Sequence, residues 1–435
     1  MQDEQAATLR DYSQIKQIDY CADLSVNDFV DRYMSRNIPV LLGSKFTSNW
    51  TARKEWVERQ PISSERRPVP DFDELHGRFG GESGNVKVMV ADCESREYSD
   101  QPRIEMSFGE YIQHWRQQQQ SSHTGEFDST KANKRLLYLK DWHCSLSVPS
   151  RSSESAPVLP HFSDDWMDEF CAATTCANKD AKDDFRFVYM GSDGTWTPFH
   201  ADVYRSFSWS SNICGIKVWV MFPPGQEQLY ASSSSPSDGI LSEMVYDARS
   251  SVQTNAEFPL LGAAKRFVVV QRPGQTLFVP SSWHHQVINV GATISINRNW
   301  CNAHNIDMVW SSIRSDCRTV EQSIGDLKEM LYETQPDEWF GTCEQLLKSH
   351  AGINLGELLD LLSHMAKVWL GIVKRSDTAC ALADEFATSS YRQQCLARIK
   401  NILEQLAAEE YIQRYHSDKV QSLLSLIDNE LKVRN

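Results

Sequence analysis

The hydrophobic rhythm of the chain changes near residue 303. Before that point short apolar runs alternate with turn residues, the punctuation of strands; after it, apolar positions recur every three or four residues. From Lys265 the order is Arg-Phe-Val-Val-Val-Gln, a Pro273-Gly274 turn, Thr276-Leu-Phe-Val279, a Pro280 break, and a third run that starts at His285. Such strand–turn–strand spacing predicts a small β-barrel. Strands are expected over 185–190, 206–213, 217–222, 267–271, 276–279, 285–290 and 293–297, with a short one over 86–90. Residues 1–36 read as helical, with Leu24, Phe29 and Tyr33 as a weak apolar stripe. A helix over 107–120 is expected to start on a capping box of Ser107 and Glu110 and to end in a polar loop of glutamines from 117. In the tail, Leu358, Leu362, Met365, Trp369 and Ile372 fall on one helical face behind a candidate cap at Asn354. Further helices are expected over 319–331, 379–404 and 410–431, and Ser/Pro-rich loops over 149–157 and 232–239. Three regions follow: supporting helices and strands over 1–148, a mainly β core over 149–302, and a C-terminal helical region over 303–435.

Composition narrows the class. The chain has 435 residues, 41% hydrophobic and 23% charged, enough to bury one large core or two moderate ones. Its net charge of −14, from 44 basic and 58 acidic residues, argues against direct nucleic-acid binding, which needs clustered Lys and Arg. An acidic surface is compatible with a basic protein substrate, and equally with a simply solubilising role. Eleven scattered cysteines contain no Cys-x-x-Cys pair, a pattern of reduced thiols rather than of a disulfide framework or zinc module. With an acidic, polar start and no apolar stretch long enough to span a bilayer, the expectation is a cytoplasmic protein, with the nucleus as the alternative. The C-terminal helices are expected to pack on the core or to pair two copies as a homodimer.

The candidate chemistry lies in His200-Ala201-Asp202 and in His285, which follows Asp202 by 83 residues (285 − 202). Two imidazoles and one carboxylate suit non-haem Fe(II), leaving positions for a chelating co-substrate and O₂. Side chains two apart on an extended segment point the same way, so His200 and Asp202 can face one ion. A His-x-Asp triplet alone is common and carries little; its place among barrel strands is what raises it.

The surrounding motifs carry a resemblance. Thr197-Pro-Phe-His200-Ala-Asp202, Gly215-Ile-Lys217-Val-Trp219-Val-Met-Phe222-Pro-Pro and Pro273-Gly274…Pro280…Trp283-His-His285-Gln-Val look like the Jumonji-C (JmjC) oxygenases, in their hydroxylase-type branch. Upstream, Ile38-Pro39-Val40-Leu-Leu-Gly43 with Trp50 and Trp56 resembles that branch's opening strand, so the likeness runs over about 30–302. Tyr189-Met-Gly, Ser206-Phe-Ser-Trp209-Ser and Leu137-Tyr138-Leu-Lys-Asp-Trp142 resemble one subgroup within it. The resemblance implies a double-stranded β-helix (cupin-like JmjC barrel), with Fe(II), 2-oxoglutarate and O₂ as metal, co-substrate and oxidant. It assigns the metal to His200, Asp202 and His285, and the co-substrate's far carboxylate to Lys217, Thr197 and Tyr138. Asn299 is placed near the metal as a supporting amide. Of the adjacent histidines, His285 follows the aromatic pair of relatives, and strand alternation then turns His284 away. His161 and His304 are expected on the surface or on helices. Ser210 departs from the pattern, since relatives carry asparagine there.

The activity implied is hydroxylation of a lysyl carbon in a translation termination (peptide chain release) factor, yielding succinate and CO₂. The alternatives are demethylation of N-methyl-lysine or methyl-arginine, a non-catalytic scaffold, and a cupin that uses another metal for isomerisation. The last would leave Lys217 without a role.

Overall fold

In the computed structural model the residues described are 15–58, 68–80, 86–96, 100–124, 135–147, 156–177, 186–231, 247–249, 257–376 and 381–433. Among these residues twelve strands form one sheet. Six belong to the N-terminal part: β1 (Ile15–Lys16), β2 (Asp19–Cys21), β3 (Val40–Leu42), β4 (Lys87–Asp92), β5 (Arg103–Ser107) and β6 (Leu137–Trp142). The other six are β7 (Arg186–Gly191), β8 (Trp196–His200), β9 (Phe207–Phe222), β10 (Arg266–Gln271), β11 (Thr276–Val279) and β12 (His284–Trp300).

Two long strands shape the barrel. The first half of β9 pairs with β11, from Ser208↔Val279 to Ser211↔Thr276, and its second half with β10, from Lys217↔Gln271 to Met221↔Phe267. β12 likewise meets β8 at its start and β7 further on, and runs antiparallel to β9 along most of its length. The gaps expected at 214–216 and 291–292 are therefore bends inside continuous strands, which corrects the sequence reading. Gly215 (φ 69°) and Gly291 (φ 77°) turn through the left-handed region that glycine tolerates, and the ladder resumes beyond them. At Gly215 the strands also approach closely: a Cβ there would lie 2.3 Å from Thr293 Oγ1 and 2.5 Å from the Ala292 carbonyl. Bending both strands at one level folds the sheet over itself, the cupin-like barrel.

The N-terminal expectation needs a second correction. Within 15–36 the chain is not one helix; β1 lies parallel to β10 and β2 parallel to β3, and only then come a short helix, Val26–Phe29, and a wider turn, Val30–Met34. Leu24, Phe29 and Tyr33 are buried as the stripe implied. Helix Phe108–Thr124 begins on the expected capping box: the Ser107 N–H donates to Glu110 Oε2 at 2.9 Å and the Glu110 N–H to Ser107 Oγ at 3.2 Å. It continues through the glutamines, which are good helix formers, instead of stopping before them. The stretches 149–155 and 232–239 lie outside the described residues.

The C-terminal helices include Ile306–Ser323, Gly325–Leu331, Pro336–Ala351, Leu355–Trp369, Ser389–Leu406, Glu410–Tyr415 and Ser417–Val433. Asn354 and Glu357 form a complete capping box at the start of Leu355–Trp369, whose Leu358, Leu362, Met365 and Trp369 are buried; Ile372 falls beyond it, exposed. The helix expected over 319–331 is split at Ile324, and Pro336–Ala351 was not anticipated. Barrel and helices share one apolar core, in which Phe207, Ile294 and Trp300 join Trp310, Leu359 and Leu362.

Candidate metal centre

His200 ends β8 directly opposite His285 on β12, and Asp202 opens the tight turn Val203–Arg205 two residues later. The three side chains converge: their ligand atoms lie within 4.8 Å of one another, and the imidazole centroids are 4.4 Å apart. Each ring is oriented from behind. His200 Nδ1 lies 2.7 Å from the Pro198 carbonyl and His285 Nδ1 2.9 Å from the Trp283 carbonyl. A carbonyl only accepts, so both Nδ1 atoms carry the proton and both Nε2 lone pairs are free. Burial, reinforced by the neighbouring His200, holds His285 neutral well below the ordinary imidazole range. Asp202 Oδ2 accepts from Ser208 Oγ at 2.7 Å. Two neutral nitrogens and one carboxylate, already oriented, form a donor set that fits ferrous iron.

His284 faces the other way, as alternation requires. It stacks on Phe199 at 5.6 Å, and Arg205 Nη1 lies 3.3 Å from its Nε2. Arginine only donates, so Nε2 accepts and Nδ1 donates to Tyr230 Oη at 2.9 Å. Burial, then the Arg205 charge, pushes its pKa down to about 3. Of the expected surface or helix positions, His161 takes the second, in the short helix Pro160–Phe162, and is buried. It is a core residue whose Nε2 lies 2.8 Å from the Leu24 carbonyl, because Phe29, Phe46 and Phe162 surround it. His304 is half-buried and stacks on Tyr391 at 5.7 Å, just ahead of helix Ile306–Ser323.

Lys217 lies deeper in the barrel. It pairs with Asn289, four residues along β12 from His285, or about 13 Å at the ordinary rise per residue. Its side chain is 2% exposed. Nζ donates to Ser295 Oγ at 2.8 Å and to Tyr138 Oη at 3.4 Å, and sits 5.2 Å from the centre of the Tyr189 ring. Among the described residues no carboxylate pairs with it, and burial pushes its pKa down to about 7. A buried ammonium answered by hydroxyls and aromatic faces but no anion is unfavourable, and the carboxylate of a diacid would complete the site.

Thr197 and Asn289 flank the Tyr138 hydroxyl. Asn289 Nδ2 donates to Thr195 Oγ1 at 2.9 Å, while its Oδ1 is buried with no hydrogen-bond partner among the described residues. Gly191 lets Tyr138 approach, since a Cβ there would stand 2.6 Å from the ring. Asn299 is not beside Lys217. It pairs in register with Ser208 and donates to Ser206 Oγ at 3.1 Å, behind the serine that holds Asp202. Ser210 Oγ donates to Asn297 Oδ1 at 2.9 Å. Sequence reasoning missed Ser208, Ser295, Asn289 and Tyr189 at the site. One signal was present: Thr293, Ser295, Asn297 and Asn299 alternate with apolar or outward positions and mark a polar row along β12.

A family model described as a cupin-like domain matches residues 26–306. The chain is 35% identical over 363 residues to the 2-oxoglutarate and iron-dependent oxygenase JMJD4 of Gallus gallus, covering 82% of this chain and 76% of that protein. The JMJD4 of Homo sapiens is 34% identical over 394 residues, covering 90% and 84%. An Arabidopsis thaliana protein named arginine-specific demethylase JMJ20 is 36% identical over 353 residues, covering 79% and 68%.

Proposed function

The chain belongs to the cupin-like JmjC oxygenases that depend on 2-oxoglutarate and iron, and from that premise we propose that it hydroxylates a lysyl carbon in a translation termination factor. Bound ferrous iron and 2-oxoglutarate supply the oxidising chemistry: with O₂ the diacid becomes succinate and CO₂, and the remaining oxygen atom enters a substrate C–H bond. The protein's own residues bind and orient. His200, Asp202 and His285 would hold the ion, and Lys217, Tyr138 and Thr197 the far carboxylate of the diacid. Between them, Trp219 and Val287 on the inward rows of β9 and β12 are buried and apolar, which keeps water from the reacting groups.

The observation that carries the reading is the buried Lys217 ammonium, unanswered by any described carboxylate, in the same barrel as the His200–Asp202–His285 cluster. The termination-factor substrate is supported by the JmjC subgroup likeness of the motifs around Tyr138 and Trp209. The test is incubation of the full chain with a recombinant termination factor, Fe(II) and 2-oxoglutarate, followed by peptide mass spectrometry. A gain of one oxygen on a lysine, lost in His200→Ala, is expected; succinate formation with no modified lysine would remove the substrate assignment.

The likeness to a protein named as an arginine-specific demethylase favours a second reading. Oxidation of an N-methyl carbon gives a hemiaminal that releases formaldehyde, whereas oxidation of a side-chain carbon leaves a stable alcohol. Formaldehyde from methyl-arginine peptides, with no oxygen retained on the peptide, would establish demethylation instead.

A further inference from the structure

The turn that carries Asp202 has an unusual backbone. Tyr204 and Arg205 both lie at φ 54°, and Ser282, three residues before His285, at φ 62°. Residues with side chains hold this left-handed conformation only where their surroundings impose it. The surroundings here belong to the C-terminal helices. The turn packs against helix Ile306–Ser323. The Tyr204 phenol reaches the end of helix Pro336–Ala351, where a Cβ on Gly352 would stand 2.7 Å from Tyr204 Oη. Arg205 reaches toward the metal ligands, with Nη1 3.3 Å from Nε2 of His284, the neighbour of His285. Arg205 and Ser282 face Met308, Ser312 and Asp316 of helix Ile306–Ser323 across a cavity of about 280 Å³, so the packing against that helix is not continuous. Beside this cavity, the Tyr204 ring of the turn is seated on Gly352.

We propose that Tyr204 is a positioning residue: seated on Gly352, with Arg205 tied to His284, it holds the Asp202 carboxylate in line with His200 and His285, so that the C-terminal helices complete the metal centre. The conformation of one turn then links the helical region to the ligand geometry. A group that orients a metal ligand from behind changes metal affinity by about 10–100-fold when removed.

The experiment needs no protein substrate, so its outcome is independent of the function proposed above. Co(II) is titrated into the full chain and followed by its visible absorption, in wild type, Tyr204→Gly, Gly352→Ala and Gly371→Ala. Tyr204→Gly removes the seated ring but tolerates the backbone. Gly352→Ala pushes on that ring from the helical side. Gly371, also left-handed at φ 75° but with nothing within 4 Å of its Cβ position, controls for backbone strain alone. Tyr204→Gly and Gly352→Ala are expected to weaken Co(II) binding by about 10–100-fold, and Gly371→Ala to leave it unchanged. At saturating Co(II) the Kd for 2-oxoglutarate in Tyr204→Gly should match wild type; a raised Kd would indicate general distortion and overturn the proposal. So would wild-type Co(II) affinity in Tyr204→Gly and Gly352→Ala, or an equal loss in Gly371→Ala. If Tyr204→Gly does not fold, the two alanine variants decide the matter between them.

Discussion

A lysine ammonium inside an apolar barrel is tolerated only if something answers its charge, and among the described residues Lys217 has two hydroxyls and the rings of Tyr189 and Trp219 but no carboxylate. With burial pushing its pKa down to about 7, much of it is neutral in mildly alkaline solution. A bound carboxylate favours the charged form. Above pH 7 the diacid must therefore bind together with a proton, and its affinity must fall as pH rises, by at most about tenfold per unit. Calorimetric titration of 2-oxoglutarate into the Co(II) protein should show Kd rising between about pH 7 and about pH 9, with proton uptake visible as a buffer-dependent enthalpy. Lys217→Met should bind more weakly and lose that pH dependence; a Kd flat with pH in the wild type would mean that Lys217 stays charged unaided. Ser208 belongs to the same scale. Its hydroxyl is the one described side-chain donor to Asp202, and Ser208→Ala should lower Co(II) affinity by about tenfold while leaving the 2-oxoglutarate KM at saturating metal unchanged.

The barrel's geometry depends on two strands that bend without ending. Gly215 and Gly291 share the left-handed conformation, but only Gly215 meets its neighbours. Gly291→Ala should thus cost only the backbone strain, about 1 kcal/mol. Gly215→Ala adds a clash with Thr293 and the Ala292 carbonyl, and should cost about 3 kcal/mol by urea denaturation. Equal losses would show that the close approach is relaxed easily. These glycines also explain what the sequence could and could not reveal. The apolar runs on either side of each were legible as strands, but a glycine inside an extended run reads as a break, so one bent strand looked like two. The strands β1 and β2 are too short to show a period, and the partner of β1 lies far along the chain, so a weak stripe at Leu24, Phe29 and Tyr33 suggested helix instead. His200, Asp202 and His285 were legible because spacing and alternation are local. Ser295 was not, because its contact with Lys217 depends on the β9–β12 register across the bend.

Barrel and C-terminal helices are joined by buried charge as well as by a shared apolar core. Arg298, on the outward row of β12, pairs with Asp165 at 2.8 Å and Asp168 at 2.5 Å, at the start of helix Trp166–Ala177. From the other side, Arg375 approaches Asp164 and Glu169 at 3.5 Å, and His364 Nε2 lies 3.1 Å from Glu169. Arg298 and Asp165 are 2% and 3% exposed, so each depends on the other for its charge to be tolerable. Breaking such a pair from one side costs about 3–5 kcal/mol, because the partner stays buried and uncompensated. Arg298→Met keeps most of the side-chain volume and should lose stability of that order. Adding Asp165→Asn removes one of the two stranded carboxylates and should recover part of the loss, with Asp168, whose side chain is 23% exposed, still able to reach water. If the charge network that runs from Arg298 through helix Trp166–Ala177 to His364 and Arg375 joins the two regions, the helical circular dichroism and the visible Co(II) signal should disappear in one transition in the wild type. In Arg298→Met they should still coincide, at a lower denaturant midpoint. Loss of the cobalt signal well before the helices unfold would show instead that the barrel and the C-terminal helices are separately stable, and that the charge network only packs one against the other.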